Sequence, residues 1–147
     1  MKIVRESLNE FHQTGDPLGS LGIGPYEELF DQFFSGLGID KSRYIVKNRK
    51  VVFNDGLLIR YKPFYQFPDE LDELDIGGDL SFQGCVNLIK LPNKLKIHGY
   101  LNLKGCKDLI KLPNDLKNLD IIMVNDTQEQ LIEFINQSIL AEKLVIE

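Results

Sequence analysis

The sequence predicts an α+β protein: a short β-solenoid, preceded by a helix and a β-meander and capped by a C-terminal helix. Three observations predict it. Residues 78–98 and 99–119 are two copies of one 21-residue unit, identical at 12 of 21 positions. A period near 20 residues marks stacked coils, none of which can bury its apolar face alone. On either side of the repeats, residues 25–37 and 125–147 carry apolar side chains at helical spacing. Between the first of these and the repeats, residues 43–61 alternate short apolar runs with turn signals, as strands do.

Residues 1–24 read as a leader segment, separate from a single domain over 25–147. Val4, Leu8 and Phe11 lie 4 and 3 residues apart, on one stripe of a short amphipathic helix. Gly15-Asp-Pro-Leu-Gly breaks that helix, and Gly22 and Gly24 follow. A helix of about ten residues is marginal in isolation, so it needs the body or a partner to dock on. Within the domain, residues 25–66 are expected to form a helix plus a three-strand meander. Pro25 suits a first helical position, Glu27 and Glu28 suit the first turn, and Gly36 and Gly38 end the element. Leu29, Phe30, Phe33, Phe34 and Leu37 give it a broad core face. The meander follows: Tyr44-Ile-Val, then Lys50-Val-Val-Phe, then Leu57-Leu-Ile-Arg-Tyr after the turn signal Asn54-Asp-Gly.

Residues 67–124 hold the repeats and a degenerate preceding coil. Leu80 and Phe82 alternate with polar residues, and Leu101 and Leu103 repeat the pattern. Gly84 and Gly105 can turn the chain out of these strands. Leu88, Leu91, Leu109 and Leu112 are expected to point inward from the return segments, which Pro92 and Pro113 keep extended. Residues 125–147 are expected to form a capping helix. Asp126 or Thr127 can cap it, and Thr127 to Gln130 has capping-box spacing.

Charge narrows the partner. The chain has a net charge of −5 and a pI near 5.1, which argues against a generic nucleic-acid binder. The average hides segregation. Residues 66–79 hold six acids and no base, residues 86–118 hold seven lysines against two acids, and residues 119–147 hold six acids against Lys143. The repeat aligns Lys90 with Lys111 and Lys96 with Lys117, while Lys104 and Lys107 widen the basic surface. Charge runs of this kind usually stay solvated; the sharper expectation is a lysine-bearing face that meets an acidic protein partner. No apolar run is long enough to span a membrane, and Arg5, Glu6, Asn9, Glu10 and His12 interrupt any signal-peptide core. The expected compartment is cytoplasmic, and reducing.

Few residues point to chemistry. Cys85 and Cys106 occupy the same place in successive copies and read as buried small hydrophobes. A disulfide is geometrically open to them, but a reducing compartment disfavours it. Zinc would need two more ligands, and the acids at 69–79 do not follow the spacing of a calcium loop. No phosphate loop, nucleophile elbow or metalloprotease motif is present. No catalytic residue, cofactor or metal site is therefore assigned.

The units follow the form G-x-L-x-L-x-G-C-x-x-L-x-x-L-P-x-x-L, carried by Leu80, Phe82, Leu88, Leu91, Pro92 and Leu95 and by their counterparts 21 residues on. This resembles a leucine-rich-repeat variant common in phage and bacterial proteins, which implies a leucine-rich-repeat-like β-solenoid. Gly84-Cys85 and Gly105-Cys106 stand near the place of the usual asparagine ladder. The leader Met1-Lys-Ile-Val-Arg-Glu-Ser-Leu-Asn-Glu-Phe, with Asp16-Pro-Leu18 and Leu21-Gly-Ile-Gly24, is similar to an N-terminal stretch on many short proteins of crAss-like and other Bacteroides phages. That resemblance implies a phage-encoded protein in host cytoplasm or associated with the virion, and no catalytic residues.

The expected function is a non-enzymatic protein–protein interaction module. Lys90, Lys96, Lys104, Lys111 and Lys117 would serve the repeat surface, and Val4, Leu8 and Phe11 the docking leader. The partner would be a host or virion protein. The alternatives are a structural or packaged virion component, an inhibitor of a host protein, and an enzyme whose site, near Tyr61–Phe67, carries no sequence motif.

Overall fold

The 21-residue period appears in three dimensions as strand register. A computed structural model describes residues 24–147; the leader stripe Val4, Leu8 and Phe11 lies outside the described residues. Among the described residues, ten strands form two five-stranded sheets. In chain order they are β1 (Tyr44–Lys47), β2 (Lys50–Phe53), β3 (Leu57–Leu58), β4 (Glu73–Ile76) and β5 (Leu80–Ser81), then β6 (Lys94–Ile97), β7 (Leu101–Asn102), β8 (Asp115–Lys117), β9 (Ile122–Val124) and β10 (Leu144–Ile146). Sheet 1 has the order β1-β2-β4-β6-β8, and sheet 2 the order β10-β9-β7-β5-β3. Glu73 pairs with Lys94 and then Asp115, steps of 21 residues. Leu80 pairs with Leu101 and then Ile122 at the same step.

The fold class expected from the sequence is corrected by these pairings. Of eight strand pairings, seven are parallel and only β1–β2 is antiparallel. The architecture is α/β, with two mostly parallel sheets and, among the described residues, two α-helices, not an α+β solenoid. The α+β expectation followed from helices segregated to the two ends of the chain. Strand direction decides the class instead, and every return segment brings the chain back to the next strand in the same sense.

Two elements differ locally from expectation. The meander has only two strands, β1 and β2, joined through Asn48-Arg49 with Asn48 in the left-handed region. The third expected strand, β3, leaves for sheet 2 and pairs in parallel with β5. Its ladder continues past the strand, with the Ile59 N–H donating to the Ser81 carbonyl at 2.8 Å. At the other end the capping helix is short. It spans Glu129–Asn136 (α2), and a 3-10 turn at Ala141–Lys143 then leads into β10, which extends sheet 2 beside β9. The expected capping box does not form: Gln128 holds the N-cap, without a side-chain bond to the helix.

The core lies between the sheets. Sheet 1 sends Val51, Leu74 and Leu95, and Phe53, Ile76 and Ile97, inward. Sheet 2 answers with Leu57, Leu80, Leu101 and Ile122. The return segments close one side with Leu88, Leu91, Leu109 and Leu112. Each buried leucine or isoleucine contributes roughly 1.5–3 kcal/mol of transfer free energy. The N-terminal end is covered by helix α1 (Glu27–Gly36), whose Phe30 and Phe34 are fully buried. Phe34 packs edge-on to Phe53 at 5.5 Å and beside Tyr44 at 4.9 Å between ring centroids. Tyr44 also donates its hydroxyl to Asp31 on α1, at 2.6 Å. At the C-terminal end, Leu131 and Ile135 of α2 and Leu140 complete the core.

Equivalent corners share a left-handed backbone. Tyr61, Gly84 and Gly105 stand at matching places with φ of 56°, 76° and 83°. The Tyr61 ring lies on the Cα of Gly84, so a side chain at 84 would be both strained and obstructed.

Candidate functional site

The five repeat lysines do not share one surface. Lys96 and Lys117 are in register on the outer face of sheet 1, behind Asp75. That face alternates in sign: Lys50, Glu73, Lys94 and Asp115 form one row across the strands. Lys50 approaches Glu73 at 3.4 Å, Lys94 approaches Asp72 at 3.5 Å, and Lys117 approaches Asp115 at 3.5 Å. His98 lies 3.8 Å from Asp75 on the same face. Lys50 and Glu73 face each other across neighbouring strands, a pairing that adds a few tenths of a kcal/mol up to about 1. Lys104 is tied to Glu147 at 2.8 Å. Lys90 and Lys111 stand elsewhere, on the return segments, exposed and outside every ion pair among the described residues.

Beside Lys90 and Lys111 runs an apolar ridge that the sequence reading missed. Ile89 is 47% and Ile110 48% exposed. They occupy the same position in successive repeats, so they stack at about the 4.8 Å strand spacing. Ile89 donates its N–H to the Tyr65 carbonyl at 2.8 Å, which places Tyr65 at the head of the ridge. Tyr65 is 63% exposed, and Tyr61, in the same loop, 70%. Solvent-facing isoleucines beside tyrosines lose nothing by leaving water, and aromatic side chains are enriched where proteins meet. The signal in the sequence was the run Leu-Ile-Lys-Leu-Pro-Asn, common to both copies. Its leucines drew the reading inward, and nothing in the period says which flanking residue faces water.

A shallow concavity lies next to the ridge, lined by residues including Gln66, Asp69, Lys90 and Asn93. It encloses about 20 Å³, room for a single water molecule. Among the described residues, no group of three or more His, Cys, Asp and Glu side chains is placed to hold a metal ion.

The cysteines serve the frame. The Cys85 thiol donates to the Ile59 carbonyl at 3.4 Å, and the Cys106 thiol to the Phe82 carbonyl at 3.0 Å. Each reaches a carbonyl of the preceding repeat, and that of Phe82 also accepts the Cys85 N–H. The third place in this column is held by Gln128, whose amide nitrogen donates to the Leu103 carbonyl at 2.8 Å and to the Cys106 carbonyl at 3.2 Å. Its amide oxygen accepts from the Asn125 N–H at 2.5 Å. Both thiols are free and buried. Burial pushes both upward in pKa, Cys106 to about 12, with the neighbouring Cys85 adding to the rise. Neither is poised as a nucleophile, because the thiolate is the reactive form.

No helix of the described residues is long and apolar enough to cross a membrane. No protein-family model matches the chain, and no curated protein or solved structure matches it.

Proposed function

We propose that this chain is a non-enzymatic protein–protein interaction module, phage-encoded, that recognises its partner through the return-segment side of the two-sheet frame. The observation that carries the reading is the exposed ridge of Tyr65, Ile89 and Ile110, beside the return-segment leucines Leu88, Leu91, Leu109 and Leu112, which are all buried. Contiguous exposed apolar side chains mark interaction surfaces more often than chance does. The adjoining concavity is far below the 300–1,000 Å³ or so typical of a small-molecule site, so a flat macromolecular contact suits the surface better. The leader's resemblance to Bacteroides-phage leaders supports the phage origin and a second, separate docking segment.

Site-specific photo-crosslinking in infected cells tests this reading. A benzophenone side chain at position 89 or 110 is expected to trap a protein partner, and one at Lys96, on the outer face of sheet 1, is not. Equal trapping at all three positions, or none at 89 and 110, would count against the ridge.

A further inference from the structure

The two repeats differ at many surface positions, yet they agree on one patch. Four positions are exposed in both copies: 86 with 107, 89 with 110, 90 with 111, and 93 with 114. Three of the four are identical: Ile89 with Ile110, Lys90 with Lys111, and Asn93 with Asn114. All three pairs lie on the return segments, at the same places in each copy. The fourth pair has diverged from Val86 to Lys107, and Lys94, also exposed, has become Asp115. Core packing explains why the leucines persist, but it places no demand on a half-exposed isoleucine or a solvated lysine.

We infer that this patch binds an acidic polypeptide segment bearing apolar side chains, laid along the stack so that it crosses both coils. The inference rests on the interaction-module reading and adds the partner's chemistry. Ile89 and Ile110 supply the apolar seat. Lys90 and Lys111 stand at the same spacing as the isoleucines, two like charges one coil apart with no acid among the described residues in an ion pair with either. Their mutual repulsion is relieved by carboxylates on the incoming segment, which also steer the encounter. Asn93 and Asn114 add one amide each at the rim; the Asn93 nitrogen also reaches Asp72, at 3.5 Å, and its second N–H and its oxygen remain for an extended backbone. Asn93 and Lys90 both line the water-sized concavity, which places lysine and asparagine at one contact.

Selection of random displayed peptides on the full chain tests the inference, with binding of the selected peptides then measured by fluorescence anisotropy. The enriched peptides are expected to be net acidic with apolar residues. Lys90→Glu with Lys111→Glu is expected to weaken them about tenfold or more, and Lys90→Gln with Lys111→Gln less. Raising salt from about 50 to about 500 mM should weaken the parent and leave the glutamine variant nearly unchanged. Enrichment of basic or uncharged peptides, indifference to the lysine variants, or no enrichment at all would overturn the inference. Lysine-dependent binding of a single-stranded oligonucleotide in place of acidic peptides would overturn it in favour of nucleic acid. Ile89→Asp with Ile110→Asp separates the two levels. If it abolishes peptide binding while the lysine variants do not, the interaction module stands and the acidic partner falls; if neither change matters, both fall.

Discussion

Cys106 sits in the middle of a column in which side-chain donors add a second bond to carbonyls that already accept a backbone N–H, those of Phe82, Leu103 and Cys106. Its thiol stays protonated in the fold, held up to about 12 by burial, against 9.0 for the unburied group. A group raised on folding contributes its stability in full below the unfolded value and loses it as pH climbs to the folded one. Unfolding temperature should therefore fall between pH 9 and about 12, where the unfolded chain ionises first. Tyr44, raised by burial and by its bond to Asp31, adds to that alkaline loss. Cys106→Ser keeps a donor for the Phe82 carbonyl without a titrating thiol, so its melting temperature should fall less steeply over the same range. An equal slope in both proteins would remove Cys106 as the cause. Gln128 is the column's end. Replacing it with Leu leaves the Asn125 N–H without its side-chain acceptor and strips the second bond from the Leu103 and Cys106 carbonyls, which keep their backbone donors, and should cost about 1–3 kcal/mol in urea titration. The sequence marked Cys85 and Cys106 as equivalent but gave no sign of Gln128. Glutamine shares no chemistry with cysteine except the ability to donate, and the spacing to it is 22 residues instead of 21.

At the scale of elements, the repeat period made the parallel register legible. The positions of Leu80 and Leu101, and of Leu74 and Leu95, follow from alternation and a shift of 21. The segment 50–66 was not legible as part of that register. It pairs with the next coil at a shift of 23, as Lys50 with Glu73 and Leu57 with Leu80. Two extra residues and an Asn-Asp-Gly corner make it read locally as a hairpin. β3 joins sheet 2 because its Leu57 is then buried between sheets, whereas a third meander strand would hold the edge of sheet 1. β8 shows the opposite effect. Its Leu116 is only partly buried, because Asn118 turns left-handed, the strand stops at Lys117, and no strand lies beyond it in sheet 1. Leu95→Ala, in the middle of the sheet, should therefore cost about 2–5 kcal/mol, and Leu116→Ala clearly less. Equal losses in denaturant titration would mean that β8 is as well covered as β6.

For the whole molecule, two ends and one side set the behaviour. Aromatic side chains around α1 close one end, α2 and β10 close the other, and the return segments present the same apolar side chain to water in both repeats, at Ile89 and Ile110. The lysine columns read from the sequence dissolve at this scale. Period alone aligns Lys90 with Lys111 and Lys96 with Lys117, but it does not say that one pair lies on a sheet face among acids and the other on a bare loop. The separation of frame from recognition surface is the central claim, and one double variant tests it directly. Ile89→Asp with Ile110→Asp should melt within a few degrees of the parent, since exposed substitutions usually stay within about 0.5 kcal/mol, while losing the crosslinked partner. Collapse of the fold would show the isoleucines to be core, and a stable variant that still binds would show that recognition lies on another face.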